Sequence, residues 1–239
     1  MPKKINVKGP IISNDDQWIY DLFDIEATSP SAVQKQLDAA GGEDIEVVIN
    51  SGGGSVFAGS EIYTALKSHP SNVTTQVVGL AASAASIIAM AGNKVIMAPT
   101  AQLMIHNVSA FGAGDYRDLE HTAGILKNAN QSIANAYMLK TGMSQDELLS
   151  MMDDETWMTS QQALEKGFID EVMFENQAPS LVASAELAGM LPDEVVNKIR
   201  NMKDTFVSSV PTPQPQNSDQ QRMMAQLTLL KLKGGNESE

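Results

Sequence analysis

Apolar and polar residues alternate over residues 5–12, and DIEVVIN at 44–50 and the stretch 73–78 each offer one face for burial. All three read as strands. Between them the apolar spacing turns helical. Ser29-Pro30-Ser31 opens a helix that runs to about Ala40, with Pro30 in its first turn, and Gly41-Gly42 stops it. Residues 58–68 form a second helix, closed by His69-Pro70. Residues 83–91 form a third, closed by Gly92-Asn93. Short strands follow at 94–97 and 102–106, separated by the turn Pro99-Thr100. A long helical pattern runs from Asp115 to about Lys140 and ends at Thr141-Gly142. Ser144-Gln145-Asp146-Glu147 has the form of a capping box for a helix over 144–152. A last helix at 160–167 leads into a strand at 168–173.

Strand and helix alternation of this kind predicts an α/β fold, with units spaced more tightly than in a doubly wound nucleotide-binding fold. From about residue 176 the pattern changes. The chain becomes polar, with helical patches at 181–190 and 194–202, a proline-rich linker at 211–216, an amphipathic helix at 223–232 and a disordered end at 234–239. The expected organisation is one domain over 1–175 followed by a C-terminal extension over 176–239.

Charge and composition narrow the function. The chain has 239 residues, 43% of them hydrophobic, enough for one sizeable core. Its net charge of −13 opposes general nucleic-acid binding, which needs cations to replace phosphate counterions. The absence of cysteine excludes disulfides, zinc–thiolate sites and cysteine nucleophiles. No signal peptide or membrane span stands out, so a soluble, cytoplasmic protein is expected. His69, His106 and His121 are too scattered to make a metal site, and no cofactor is implied.

The chemistry concentrates at Gly79-Leu80-Ala81-Ala82-Ser83-Ala84-Ala85-Ser86, where an apolar strand gives way to an apolar helix. A serine at a helix start is ordinarily a cap. Here small neighbours allow a substrate carbonyl to approach, and the N–H of Ala84 lies at the positive end of the helix, where it can stabilise an oxyanion. Ser86, one turn later, is the competing nucleophile and reads better as packing. Gly52-Gly53-Gly54, after one strand and before a helix, can supply a second donor, most plausibly the N–H of Gly54. His106 ends an apolar strand and is the best base by elimination and placement; His69 reads as solvent-facing and His121 as a helix-surface residue. Asp153, Asp154 and Glu155 are three possibilities for the acid, beside the plainer reading of a solvated acidic turn.

These motifs, in order, resemble the proteolytic subunit of the Clp protease, the ClpP family. The resemblance runs from about residue 5 to 174 and rests on Ile49-Asn50-Ser51-Gly52-Gly53-Gly54, Gly79-Leu80-Ala81-Ala82-Ser83, Met104-Ile105-His106 and TSQQALEKGFID at 159–170. It implies a crotonase-like stack of ββα units with the helix at 115–140 as a protruding handle. It makes Ser83 the nucleophile, His106 the base, and the N–H groups of Gly54 and Ala84 the oxyanion hole. A gap-free count from Thr159 puts Glu155 at the family's aspartate, with Asp153 and Asp154 as fallbacks. Gly52 stands where the family usually has proline.

The resemblance further implies protein or peptide substrates, a homo-oligomeric ring (a heptamer or double ring) and an AAA+ unfoldase as a possible partner. The stretch Asp153-Asp154-Glu155-Thr156-Trp157 and the long polar extension are similar to the phage prohead-protease branch, which implies capsid maturation in a bacterial host or within the prohead. A housekeeping Clp subunit, a crotonase-type acyl-CoA enzyme and an inactive ring or scaffold component are the competing readings.

Overall fold

A computed structural model describes residues 2–175. The helical patches, linker and terminal segment expected beyond residue 176 lie outside these residues.

The core is a mainly parallel sheet of seven strands. β1 (Lys3–Lys8), β2 (Ile45–Ser51), β3 (Val73–Ala82), β4 (Lys94–Met97) and β7 (Glu171–Val172) pair in the order β1-β2-β3-β4-β7, all parallel. Parallel strands need covered crossovers, and α2 (Pro30–Ala40), α3 (Val56–Lys67) and α4 (Ala84–Ala89) supply them. Ile5, Val7, Val47, Ile49 and Val77 are fully buried in the strands and pack with Val33, Ile62 and Ile88 of the helices in one hydrophobic core.

β3 carries the local feature that matters most. Its first half pairs with β4, Thr74 to Val77 against Lys94 to Met97. Its last residues, Leu80 to Ala82, pair instead with Gln102 to Met104 of β5 (Gln102–Ile105). The switch is made at a bulge: Ile49 faces Val77, but Ser51 faces Ala81. Asn50 fills the gap, its side-chain carbonyl accepting the Leu80 N–H at 3.1 Å. Glycine at residue 79 leaves room for this contact, since a Cβ there would lie 2.5 Å from that oxygen and push the Asn50 amide aside. A bulge re-aims the end of a strand, and this one carries β3 on to Ser83.

Several elements differ from the sequence-based expectation. The first strand stops at Lys8 rather than residue 12, because Gly9 turns the chain at φ 64°. A short turn at Asn14–Asp16 and helix α1 (Gln17–Leu22) fill a stretch to which the sequence reading assigned no helix. Trp18, Leu22 and Phe23 are exposed on this excursion. The chain returns beside its start, where Ile11 bridges both Thr28 and Gly54. β6 (Thr156–Thr159) pairs antiparallel with β5 and was not expected, being only four residues that follow an acidic turn and end in the threonine that caps α7 (Ser160–Glu165).

α5 (Tyr116–Thr141) spans 26 residues and starts with a capping box at Asp115. Hydrogen bonds from the Arg117 side chain and from the Arg117 and Asp118 N–H groups hold the Asp115 carboxyl below its ordinary range. Its buried residues, Ile133, Ala134, Ala136 and Tyr137, all lie in the second half; Leu119 and Ile125 of the first half are exposed. α6 (Gln145–Asp153) and α7 (Ser160–Glu165) carry the capping boxes Ser144/Glu147 and Thr159/Gln162. Asp170 closes the domain by accepting the Val95 N–H at 2.6 Å and pairing with Lys140 of α5.

Candidate active site

Ser83 joins the end of β3 to α4 with φ 55° and ψ −126°. Positive φ is costly for a residue with a Cβ and persists only where the surroundings impose it. Here they do. The Ser83 N–H donates to the Met104 carbonyl of β5 at 3.0 Å, extending the β3–β5 pairing by one residue. The Ser83 carbonyl accepts the Ser86 N–H at 2.9 Å and the Ser86 hydroxyl at 2.7 Å. Two glycines make room. A Cβ on Gly53 would lie 2.7 Å from both the Ser83 Cβ and the Ala82 carbonyl, and a Cβ on Gly59 would lie 3.0 Å from the Ala84 Cβ.

His106 follows β5 directly, and its Nε2 lies 2.8 Å from the Ser83 Oγ. Both side chains are half-buried. Strand pairing sets this contact: the last β3–β5 pair, Ala82 with Met104, lies one residue before Ser83 and two before His106. A serine hydroxyl bonded to a ring nitrogen can give up its proton there as it attacks a carbonyl.

The glycine loop lies alongside. Ser51, buried, donates to the Gly9 carbonyl at 2.6 Å and accepts the Gly53 N–H at 3.1 Å. The bridge to Ile11 uses the Gly53 carbonyl and the Ser55 N–H, and leaves the intervening Gly54 N–H out of the pairing. As the first residue of α4, Ala84 has an N–H with no acceptor within its helix.

The acidic turn is arranged differently. Asp153, Asp154 and Glu155 are exposed. None of the three hydrogen-bonds to His106: Glu155 Oε1 accepts the Trp157 indole N–H at 3.2 Å, and Asp153 Oδ1 accepts from Asn107 Nδ2 at 2.7 Å. Glu155 still stands next to the histidine in register, one step beyond the last β5–β6 pair, Ile105 with Thr156. It has φ 48°. His121 is exposed; His69 is half-buried rather than solvent-facing, its Nε2 at 2.9 Å from the Glu43 carbonyl. Among the described residues no group of three or more His, Cys, Asp or Glu is placed to hold a metal ion, and no helix is long and apolar enough to cross a membrane.

The family model described as "Clp protease" matches residues 24–176, which include the glycine loop, Ser83, His106 and the acidic turn. The chain belongs to the Clp protease family. Relatives agree. The ATP-dependent Clp protease proteolytic subunit of Bacteroides fragilis is 36% identical over 155 residues, 64% of this chain and 75% of that protein. Proteolytic subunit 1 of Chlamydia abortus is 38% identical over 161 residues, 65% of this chain and 78% of that protein. Proteolytic subunit 2 of Corynebacterium diphtheriae is 35% identical over 138 residues, covering 57% and 69%. Membership of this family makes the chain a serine-type endopeptidase.

Two polar clusters around the site depend on partners that the sequence reading did not name. Asn107 links Asp153 to α5: its Oδ1 accepts from Asn130 Nδ2, and Asn130 Oδ1 accepts the Val108 N–H, both at 2.8 Å. Asn107 stands beside His106 in the motif, but nothing in the sequence marks Asn130 as its partner. The second cluster is Ser86 with Tyr137 of α5, whose hydroxyl oxygens lie 2.8 Å apart and buried. Spacing from Ser83 singled out Ser86, but its partner Tyr137 lies 51 residues further on.

Proposed function

We propose that Ser83 is the nucleophile of this endopeptidase and His106 its general base; the 2.8 Å contact between Ser83 Oγ and His106 Nε2 carries the reading. Ser83 attacks the peptide carbonyl carbon while His106 takes its proton. Negative charge on the carbonyl oxygen meets the Gly54 and Ala84 N–H groups. Collapse expels the amine, which takes the proton from His106, and a water activated by the same imidazole hydrolyses the acyl-enzyme.

Glu155 is the third member. Accepting the serine proton at Nε2 requires the imidazole to carry hydrogen on Nδ1, and that N–H needs an acceptor. Register supports Glu155, which lies one residue before Thr156 as His106 lies one after Ile105 in the antiparallel pair. Its carboxylate has to leave the Trp157 indole to reach the ring.

The working form is a homo-oligomeric ring acting on protein substrates, with an AAA+ unfoldase as a possible feeder. The exposed Phe111, in the segment before α5, and Leu119 and Ile125 in the first half of α5 support an assembly that covers them. The peptidase occupies residues 1–175 and the polar stretch 176–239 is an extension. Asp153 to Trp157 and that extension favour the prohead-maturation branch, with capsid or scaffold protein as substrate in the host cytoplasm or prohead.

Turnover of fluorogenic peptides by the full chain tests the chemistry: hydrolysis abolished by Ser83→Ala and by His106→Ala is expected, and hydrolysis surviving Ser83→Ala would overturn it. Co-expression with a prohead scaffold protein tests the substrate. Trimming that depends on Ser83 is expected; an intact scaffold beside an active peptidase would remove the maturation role.

A further inference from the structure

We propose that Tyr137 is a positioning residue for the oxyanion hole, acting through Ser86 on the peptide group that joins Ser83 to Ala84. The inference rests on the reading of Ser83 as nucleophile and Ala84 as oxyanion donor.

The direction of the hydrogen-bond chain follows from donor counts. Ser86 Oγ has one proton, and at 2.7 Å from the Ser83 carbonyl it must give it there, because a carbonyl only accepts. The Tyr137 hydroxyl, 2.8 Å away, must then donate to Ser86 Oγ. Burial raises the Tyr137 phenol above its ordinary value, an effect the bond to Ser86 only partly offsets, so the donor keeps its proton at any working pH. The chain runs Tyr137 O–H to Ser86 O–H to the Ser83 carbonyl, with Tyr137 and Ser86 sealed from solvent.

The other end of that peptide group is the Ala84 N–H. No peptide bond among the described residues is cis, and in a planar trans peptide the C=O and N–H point in opposite directions. Fixing the carbonyl on its buried side therefore fixes where the Ala84 N–H points on the other. Hydrogen bonds in series also polarise one another, so a carbonyl that accepts from Ser86 has a more strongly donating N–H across the same amide. The neighbouring Gly53 approaches this peptide group so closely that a Cβ there would lie 3.0 Å from the Ala84 nitrogen.

Tyr137 is held for the task by its own packing. It is on the buried half of α5, its ring 5.8 Å from that of Phe168. Tyr137→Phe keeps this packing and removes only the hydroxyl.

The test is steady-state hydrolysis of a fluorogenic peptide by the full-length assembly, with inhibition by a peptide aldehyde whose hemiacetal oxygen occupies the oxyanion hole. Removing an oxyanion donor outright costs about 10²–10³ in kcat, so disturbing the aim of one should cost roughly tenfold. Tyr137→Phe is expected to lower kcat about tenfold and weaken the aldehyde by a similar factor, with KM within about twofold of wild type. Ser86→Ala should do the same. Because the two residues act in series, the double variant should lose no more than the single ones. Unchanged kcat in Tyr137→Phe, a loss confined to KM, or losses that multiply in the double variant would each overturn the proposal. If Tyr137→Phe does not assemble, Ser86→Ala decides by the same criteria. Wild-type protein that neither hydrolyses peptide nor reacts at Ser83 would overturn the nucleophile reading, and that outcome is distinct from an active wild type indifferent to Tyr137.

Discussion

Ser83 and Glu155 both have the positive φ that residues with side chains rarely adopt, 55° and 48°, yet the turns around them have little else in common. Ser83 is clamped by the Met104 carbonyl on one side and by Ser86 on the other, with Gly53 and Gly59 pressed against it and Ala84. Glu155 is exposed, and its carboxylate is bonded to the indole of Trp157, itself half-exposed. The elbow that carries Ser83 is thus part of the core, whereas Glu155 sits on an exposed turn. Strand pairing alone brings Ser83 and His106 together; for Glu155 to serve as the proposed acid its side chain has to rotate away from the Trp157 indole.

The largest expected effect is at the clamped turn. Ser83→Ala should lower turnover by about 10⁴-fold or more while leaving stability nearly unchanged, read from peptide hydrolysis and a denaturant melt. A residual rate near wild type would place the nucleophile elsewhere. Glu155→Gln should cost roughly 10²-fold, since the imidazolium loses its counter-charge, and should cost more than Asp153→Asn or Asp154→Asn. A larger loss in either aspartate variant would move the acid to that residue.

Stability sharpens the contrast from the other side. Gly53→Ala should destabilise by about 3 kcal/mol, because the new Cβ meets the Ser83 Cβ and the Ala82 carbonyl at a positive φ. Glu155→Gly should stay within about 1 kcal/mol of wild type, or gain slightly by relieving the φ penalty, although activity falls. Equal destabilisation by the two substitutions would mean that the acidic turn is as tightly built as the elbow.

The smallest effect concerns the buried tyrosine. Its folded pKa lies above the unfolded value of about 10. The folded state therefore holds the proton more tightly, and the contribution is fully present below pH 10 and lost as pH rises above it. Wild type should lose about 1.4 kcal/mol per pH unit more than Tyr137→Phe in that range. Parallel curves for the two proteins would show that Tyr137 is not buried in solution.

Much of this was legible in the sequence because it is local. Strand periodicity, the Pro30 helix start, the capping box at Ser144 and the small-residue run around Ser83 each depend on a few neighbouring residues. The meeting of Ser83 with His106 was expected from placement at an element end, and the β3–β5 register supplies it. What escaped depends on partners distant in sequence. The branching of β3 rests on Asn50 and Gly79 filling a bulge. β6 is a strand only because β5 pairs with it. Tyr137 reaches Ser86 because α5 folds back over α4, which no helical pattern within α5 reveals.

Labelling of the purified full-length protein with a fluorophosphonate, followed by peptide mapping, tests most directly whether the elbow is a preformed nucleophile. The account predicts a single label on Ser83, greatly slowed by His106→Ala and only modestly by Glu155→Gln. A label on Ser86, a rate indifferent to His106, or no label on a folded assembly would contradict it.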